Sequence, residues 1–138
     1  MQVAVKTVNF ILARGLNHRQ FQELLNEVNS EYDYLLYFWE VRWLSRGAML
    51  NRVYQLRKEI ADFMIVKEME TTEFSDPDFL SRLAFLVDIT GHLNKLNKKL
   101  QGRGQFVHVM YEQMVTFQCM LRLWNAQLDN GNLAHFPT

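Results

Sequence analysis

The chain has 138 residues, with 15 Lys+Arg against 15 Asp+Glu, one Cys, two Pro and 49% hydrophobic residues. That length suits one domain, and the apolar content excludes a chain disordered throughout. Zero formal net charge argues against a protein that grips phosphates by bulk charge, and one Cys excludes an internal disulfide framework or a multi-cysteine zinc site.

The opening stretch MQVAVKTVNFILARG carries Lys6 and Arg14 and lacks a small-residue cleavage site, so it reads as an amphipathic helix and not as a signal peptide. No apolar run approaches the roughly 18 residues of a membrane span. The expectation is a soluble intracellular domain with no membrane partner. A first helix is predicted from about Val3 to Ala13, with Val5, Val8 and Leu12 at helical spacing and Arg14-Gly15 as its stop. Asn17 is expected to cap a second helix, with Gln20 at the capping-box position. Phe21, Leu24, Leu25 and Val28 share one face there, and Asn29-Ser30 end it.

Tyr32 to Leu44 breaks the pattern, crowding ten apolar or aromatic residues into thirteen positions. Strand propensity is high, and a short strand or buried extended segment near residues 34–41 and a helical turn both stay open. From Ser45, the expected N-cap, Met49, Val53, Leu56, Ile60 and Phe63 alternate steps of four and three, a heptad-like seam. Lys67 to Ser75 reads as a connecting loop. Asp76-Pro77 starts the next helix, with Asp capping and Pro at the first helical position. Its seam is Phe79, Leu83, Leu86, Ile89, Leu93, Leu96 and Leu100. Gly91 within it costs about 1 kcal/mol relative to Ala, which predicts close approach of a neighbouring helix.

Gln101 to Gly104 forms the next turn. The last helix carries Phe106, Met110, Met114, Phe117, Leu121, Trp124 and Leu128, and Asn130-Gly131-Asn132 stops it. No internal repeat or low-complexity tract interrupts the chain. The fold class is mainly α: an antiparallel helical bundle of about five helices with a short extended segment near residues 34–41. The seams are long for so few helices, which points to protein partners or self-association. Leu86, Leu93, Leu96, Leu100, Phe117, Leu121 and Trp124 are the seam residues expected to serve it.

Reactive chemistry is sparse. His18, His92, His108 and His135 are widely separated, with no pair at the spacing that sets two ligands on one helix face, so no metal or cofactor is expected. Cys119 is expected to be a small buried hydrophobe. There is no Gly-x-Ser-x-Gly, and Gly102-Arg103-Gly104 lacks the Lys of a phosphate loop. Asp88, inside LAFLVDIT, is the one acid in an apolar run and reads as a structural hydrogen-bonder or as an acid at the edge of the seam. The residues support neither an enzyme nor a small-molecule substrate.

One constellation stands apart, Glu40-Val41-Arg42-Trp43-Leu44-Ser45-Arg46-Gly47, followed by Arg52, Arg57 and Lys58. An Arg–Trp pair beside a helix N-terminus suits a phosphate and a stacked base. The plainer reading has Trp43 anchoring the core and Arg42 paired with Glu40. Arg42, Trp43, Ser45 and Arg46 are the DNA-contact candidates.

The segment EVRWLSRGAMLNRVYQLRKEI, with TVNFILARGLNHRQF, LAFLVDITGHLNKLNKKLQG and NLAHFP, resembles the region around the "RW" motif of hAT-superfamily DNA transposases and genes derived from them. Among these are the general transcription factor II-I repeat-domain proteins with their BED-zinc-finger and SCAN-domain relatives. The resemblance implies a single partial domain over residues 1–138: the entry to, and first part of, the all-helical insertion of a ribonuclease-H-like transposase. The family's catalytic acids, its Cys-x-x-His signature and its BED fingers have no counterpart in these residues. Trp43 corresponds to the motif tryptophan, which in such transposases stacks on a flipped base, and Arg42 would orient it or contact a phosphate. The resemblance implies a nuclear, catalytically inactive fragment acting in protein association with residual DNA contact. The alternative it implies is a truncated part of a nuclear DNA-binding, transcription-regulator-like protein.

Overall fold

The computed structural model describes residues 1–36, 43–69, 72–101 and 106–138, with the backbone alone at 43–45. Among the described residues the secondary structure is helical, with no strand: α1 (Gln2–Leu12), α2 (Gly15–Glu27), α3 (Trp43–Gln55), α4 (Arg57–Val66), a 3₁₀ turn (Thr72–Ser75), α5 (Pro77–Leu100) and α6 (Val107–Asp129). The mainly helical class is as the periodicity predicts. The extended segment lies largely outside the described residues, and at Tyr34 to Leu36 the chain is neither helix nor strand. The Gly102–Gly104 turn also lies outside them.

Two compact units divide the chain, Met1–Val87 and Asp88–Thr138. In the first, α1 buries Ala4, Thr7, Val8, Ile11 and Leu12, and α2 buries Asn17, Phe21 and Leu25. Those spacings of three and four place each set on one helix face. The predicted seam Met49, Val53, Leu56, Ile60 and Phe63 is buried in full. Each large side chain removed from water there contributes roughly 1.5–3 kcal/mol. The seam does not belong to one helix: Leu56 leaves the helical conformation at φ −91°, ψ 18°, separating α3 from α4. Phe21 of α2 meets Phe63 of α4 edge to face, with ring centroids 5.2 Å apart. Phe74 of the 3₁₀ turn is buried against Phe79, so the predicted loop carries one anchoring turn.

Helix ends follow local chemistry. Asp76 Oδ1 and Oδ2 accept from the backbone N–H groups of Asp78 and Phe79 at 3.1 and 3.3 Å, capping α5 as expected. Asn17 and Ser45 are not caps. α2 begins at Gly15 after an extended Arg14, and Asn17 donates its Nδ2 to the Phe10 carbonyl at 3.1 Å, tying α2 to α1. Gln20, assigned to a capping box, instead accepts from Lys67 Nζ. Ser45 lies within α3, with Trp43 before it already helical.

Three helices stop in the same way. Asn29, Glu68 and Gly131 take left-handed φ values of 49°, 53° and 69°. The next residue's N–H then reaches back five residues: Ser30 to the Leu25 carbonyl at 2.9 Å, Met69 to Met64 at 3.0 Å, and Asn132 to Gln127 at 2.8 Å.

Within the second unit, Trp124 of α6 is the centre, 2% exposed. His92 of α5 lies 4.3 Å from it between ring centroids, and Phe117 and Phe136 approach at 5.8 and 5.9 Å. The aromatic cluster takes the place of an aliphatic core.

Candidate functional site

The Arg–Trp constellation is only partly described. Arg42 lies outside the described residues, as does Glu40, so their expected pairing does too. The backbone places Trp43 and Ser45 on α3. Arg46, one turn on, is half-buried. Two of the basic residues that follow, Arg52 and Arg57, have intramolecular work. Arg52 donates Nη1 to the Tyr34 carbonyl at 2.7 Å and lies 4.0 Å above the Tyr32 ring, holding the chain after α2 on α3. Arg57 donates Nη1 to the Tyr54 carbonyl at 2.8 Å and lies 4.3 Å above its ring. Both guanidinium groups are thus held against tyrosines of this chain, which a reading by charge alone misses.

The predicted seam residues do not share one environment. Leu86 packs partly buried against the core of the first unit. Leu93, Leu96 and Leu100 are half-buried on the later turns of α5, as is Phe117 on α6. Trp124 is buried, while Leu121 is exposed. Beside that buried line, α6 carries an apolar strip open to solvent: Val107 is 85% exposed, Tyr111 69%, Met114 50% and Leu121 42%. Their spacing of four, three and seven keeps them on one side of the helix. Cys119, expected to be buried, is exposed instead. Its place beside the seam sets its position on the helix, but among the described residues no element covers that side.

A cleft of about 310 Å³ opens between the later turns of α5 and α6. Leu96, Phe117 and Met120 supply apolar walls, and Lys95, Lys98 and Lys99 supply charge. The signal for it lies in the run Asn94-Lys95-Leu96-Asn97-Lys98-Lys99, whose lysines fall at positions i, i+3 and i+4 of one helix. The apolar seam of α5 alone does not reveal it, because the lysines fall beside the seam positions. Asp88 does act as a structural hydrogen-bonder: it accepts from the Thr138 N–H at 3.0 Å and from its hydroxyl at 2.5 Å. Among the described residues no three His, Cys, Asp or Glu side chains gather as metal ligands. None of the described helices is long and apolar enough to cross a membrane.

The family model described as the FAM200/GTF2IRD2 helical domain matches residues 1–129, and the chain belongs to that family. Over all 138 residues it is 46% identical to "General transcription factor II-I repeat domain-containing protein 2" of Bos taurus, and 45% identical to the protein of that name from Mus musculus. The whole chain is covered in both comparisons, and it spans 14% and 15% of the lengths of those relatives. No solved structure matches it.

Proposed function

We propose that this member of the FAM200/GTF2IRD2 helical-domain family is a catalytically inactive association module, derived from the helical insertion of a hAT transposase. It serves a nuclear, transcription-regulator-like protein by pairing helices. The observation that carries this reading is the exposed apolar strip of α6, Val107, Tyr111, Met114 and Leu121. Large contiguous apolar surfaces on soluble domains mark partner sites, because covering them removes a hydration cost of about 25 cal/mol per Å². The strip has the length and spacing to lie along the α6 of a second copy. Catalysis has no place in the reading, since no acid of the chain matches the transposase triad. The names of the curated relatives support the nuclear, transcription-linked setting.

Light scattering on the purified chain over a wide range of concentration tests it. The expected result is a concentration-dependent dimer that Met114→Lys with Leu121→Lys converts to monomer, with helical circular dichroism unchanged. A chain that stays monomeric throughout, or metal-dependent DNA cleavage by the chain alone, would overturn the reading.

A second reading, DNA contact at Arg42, Trp43, Ser45 and Arg46, is supported by the resemblance of the Arg42-Trp43-Leu44-Ser45 run to the transposase motif. Binding of hairpin or single-stranded DNA at low salt, abolished by Trp43→Ala, would support it; no binding at low salt rules it out.

A further inference from the structure

We infer that the cleft between α5 and α6 takes a short acidic peptide segment that inserts one apolar side chain. This goes beyond the association reading, since it places a different partner at a different site from the α6 strip.

Three observations lead there. The cleft holds about 310 Å³, the lower end of the range of ligand sites, roughly 300–1,000 Å³. That is room for a side chain and its neighbours, not for a folded domain. Its walls include Leu96, Phe117 and Met120, and the thioether of Met120 adapts to side chains of varied shape. Lys95, Lys98 and Lys99 also line it, and none makes a hydrogen bond or ion pair among the described residues. The helix macrodipole accounts for Lys98 and Lys99 in the last turn of α5. Lys95 sits a turn earlier, facing the same cleft.

The charge around the cleft is unbalanced. Residues 88–138 contain five Lys and Arg against three acids, Asp88, Glu112 and Asp129, a formal +2 (5 − 3), whereas residues 1–87 hold the remaining ten against twelve, a formal −2. Among the described residues no acid lines the cleft. Asp88 is occupied by Thr138, and Asp129 accepts from Asn125 at 3.1 Å. An occupant with carboxylates flanking an apolar side chain supplies both missing halves, covering the apolar walls and pairing the lysines. A nucleic acid fits less well. Its backbone needs a track of cations and its bases need a flat open ring. Here the lysines form one cluster, and the Phe117 ring is half-buried, set at 86° to that of Trp124.

The test is fluorescence anisotropy with the full 138-residue chain and a labelled peptide of alternating Glu, Asp, Leu and Phe. Saturable binding is expected, weakened at least about tenfold, or about 1.4 kcal/mol, by the triple exchange of Lys95, Lys98 and Lys99 to Gln. Met120→Glu, which removes an apolar wall and sets a charge of the peptide's own sign in the cleft, should weaken it similarly, with helical circular dichroism intact in both variants. A peptide with Ser in place of Leu and Phe should bind at least about tenfold more weakly. No binding, equal binding of the Ser peptide, or tighter binding of single-stranded DNA that is lost in the same variants would overturn the inference. Light scattering on the triple variant keeps the two readings apart, because loss of peptide with the dimer retained concerns the cleft alone.

Discussion

His92 and Trp124 stand with ring centroids 4.3 Å apart, and the same imidazole is joined through Nε2 to the His135 carbonyl at 2.8 Å. One side chain of α5 thus fixes both α6 and the segment after it. Removing it costs a ring contact of about 0.5–1.5 kcal/mol and a hydrogen bond of similar size. His92→Ala should therefore destabilise the second unit by about 2 kcal/mol. His92→Phe, which keeps a ring but loses the bond, should cost about half as much. Hydrogen exchange at residues 133–136 reads both, faster in the Ala variant than in the Phe variant.

Asn17 tests a tertiary tie of the same kind in the first unit. It is buried, and its Nδ2 donates to the Phe10 carbonyl. Asn17→Ala removes the donor and leaves that carbonyl without it, at a cost of about 1–3 kcal/mol. If Asn17 were a cap on an exposed helix end, Asn17→Ser would restore stability, since Ser caps about as well as Asn. The expected outcome is that Ser fails to rescue the thermal midpoint.

What the sequence makes legible here is what depends on near neighbours. Asp76-Pro77 announces the start of α5 because the cap bonds reach only two and three residues ahead. Met49, Val53, Leu56, Ile60 and Phe63 announce a buried face because their period is their own. Asn17 misleads because its side chain serves a carbonyl seven residues back instead of its own helix end. Cys119 misleads for a different reason: periodicity identifies a face, but whether another element covers it is a question of tertiary arrangement. The candidate surfaces divide likewise. The α6 seam was readable as a pattern, yet only the fold separates buried Trp124 from exposed Leu121. Arg52 and Arg57 look like a basic patch until their tyrosine partners are placed.

Glu68 closes α4 at φ 53°, a conformation in which a Cβ is strained and Gly is not. Asn29 and Gly131 hold the same position after α2 and α6, both residue types that tolerate it. Glu68→Gly should stabilise the first unit by up to about 1 kcal/mol, the relief of strain exceeding the added freedom of the unfolded chain. The measurement is the urea midpoint followed by helical circular dichroism. A lower midpoint would mean that the Glu68 side chain makes a stabilising contact larger than the strain.

Gly91 is the converse case. It lies inside α5, and among the described residues a Cβ built there meets no atom within 4 Å, so they show no close approach of another helix at this position. Nothing in the fold then compensates for the backbone entropy of a mid-helix glycine. Gly91→Ala should stabilise α5 by about 1 kcal/mol, with slower hydrogen exchange through the turns on either side. The same variant also probes whether anything docks on that side of α5. A partner whose backbone must come close to Gly91 would bind Gly91→Ala more weakly, although the free chain is more stable. Peptide capture at the lysine cleft should be unchanged, because Gly91 is not among its lining residues. A gain in stability with unchanged peptide affinity separates the helix effect from any role in recognition.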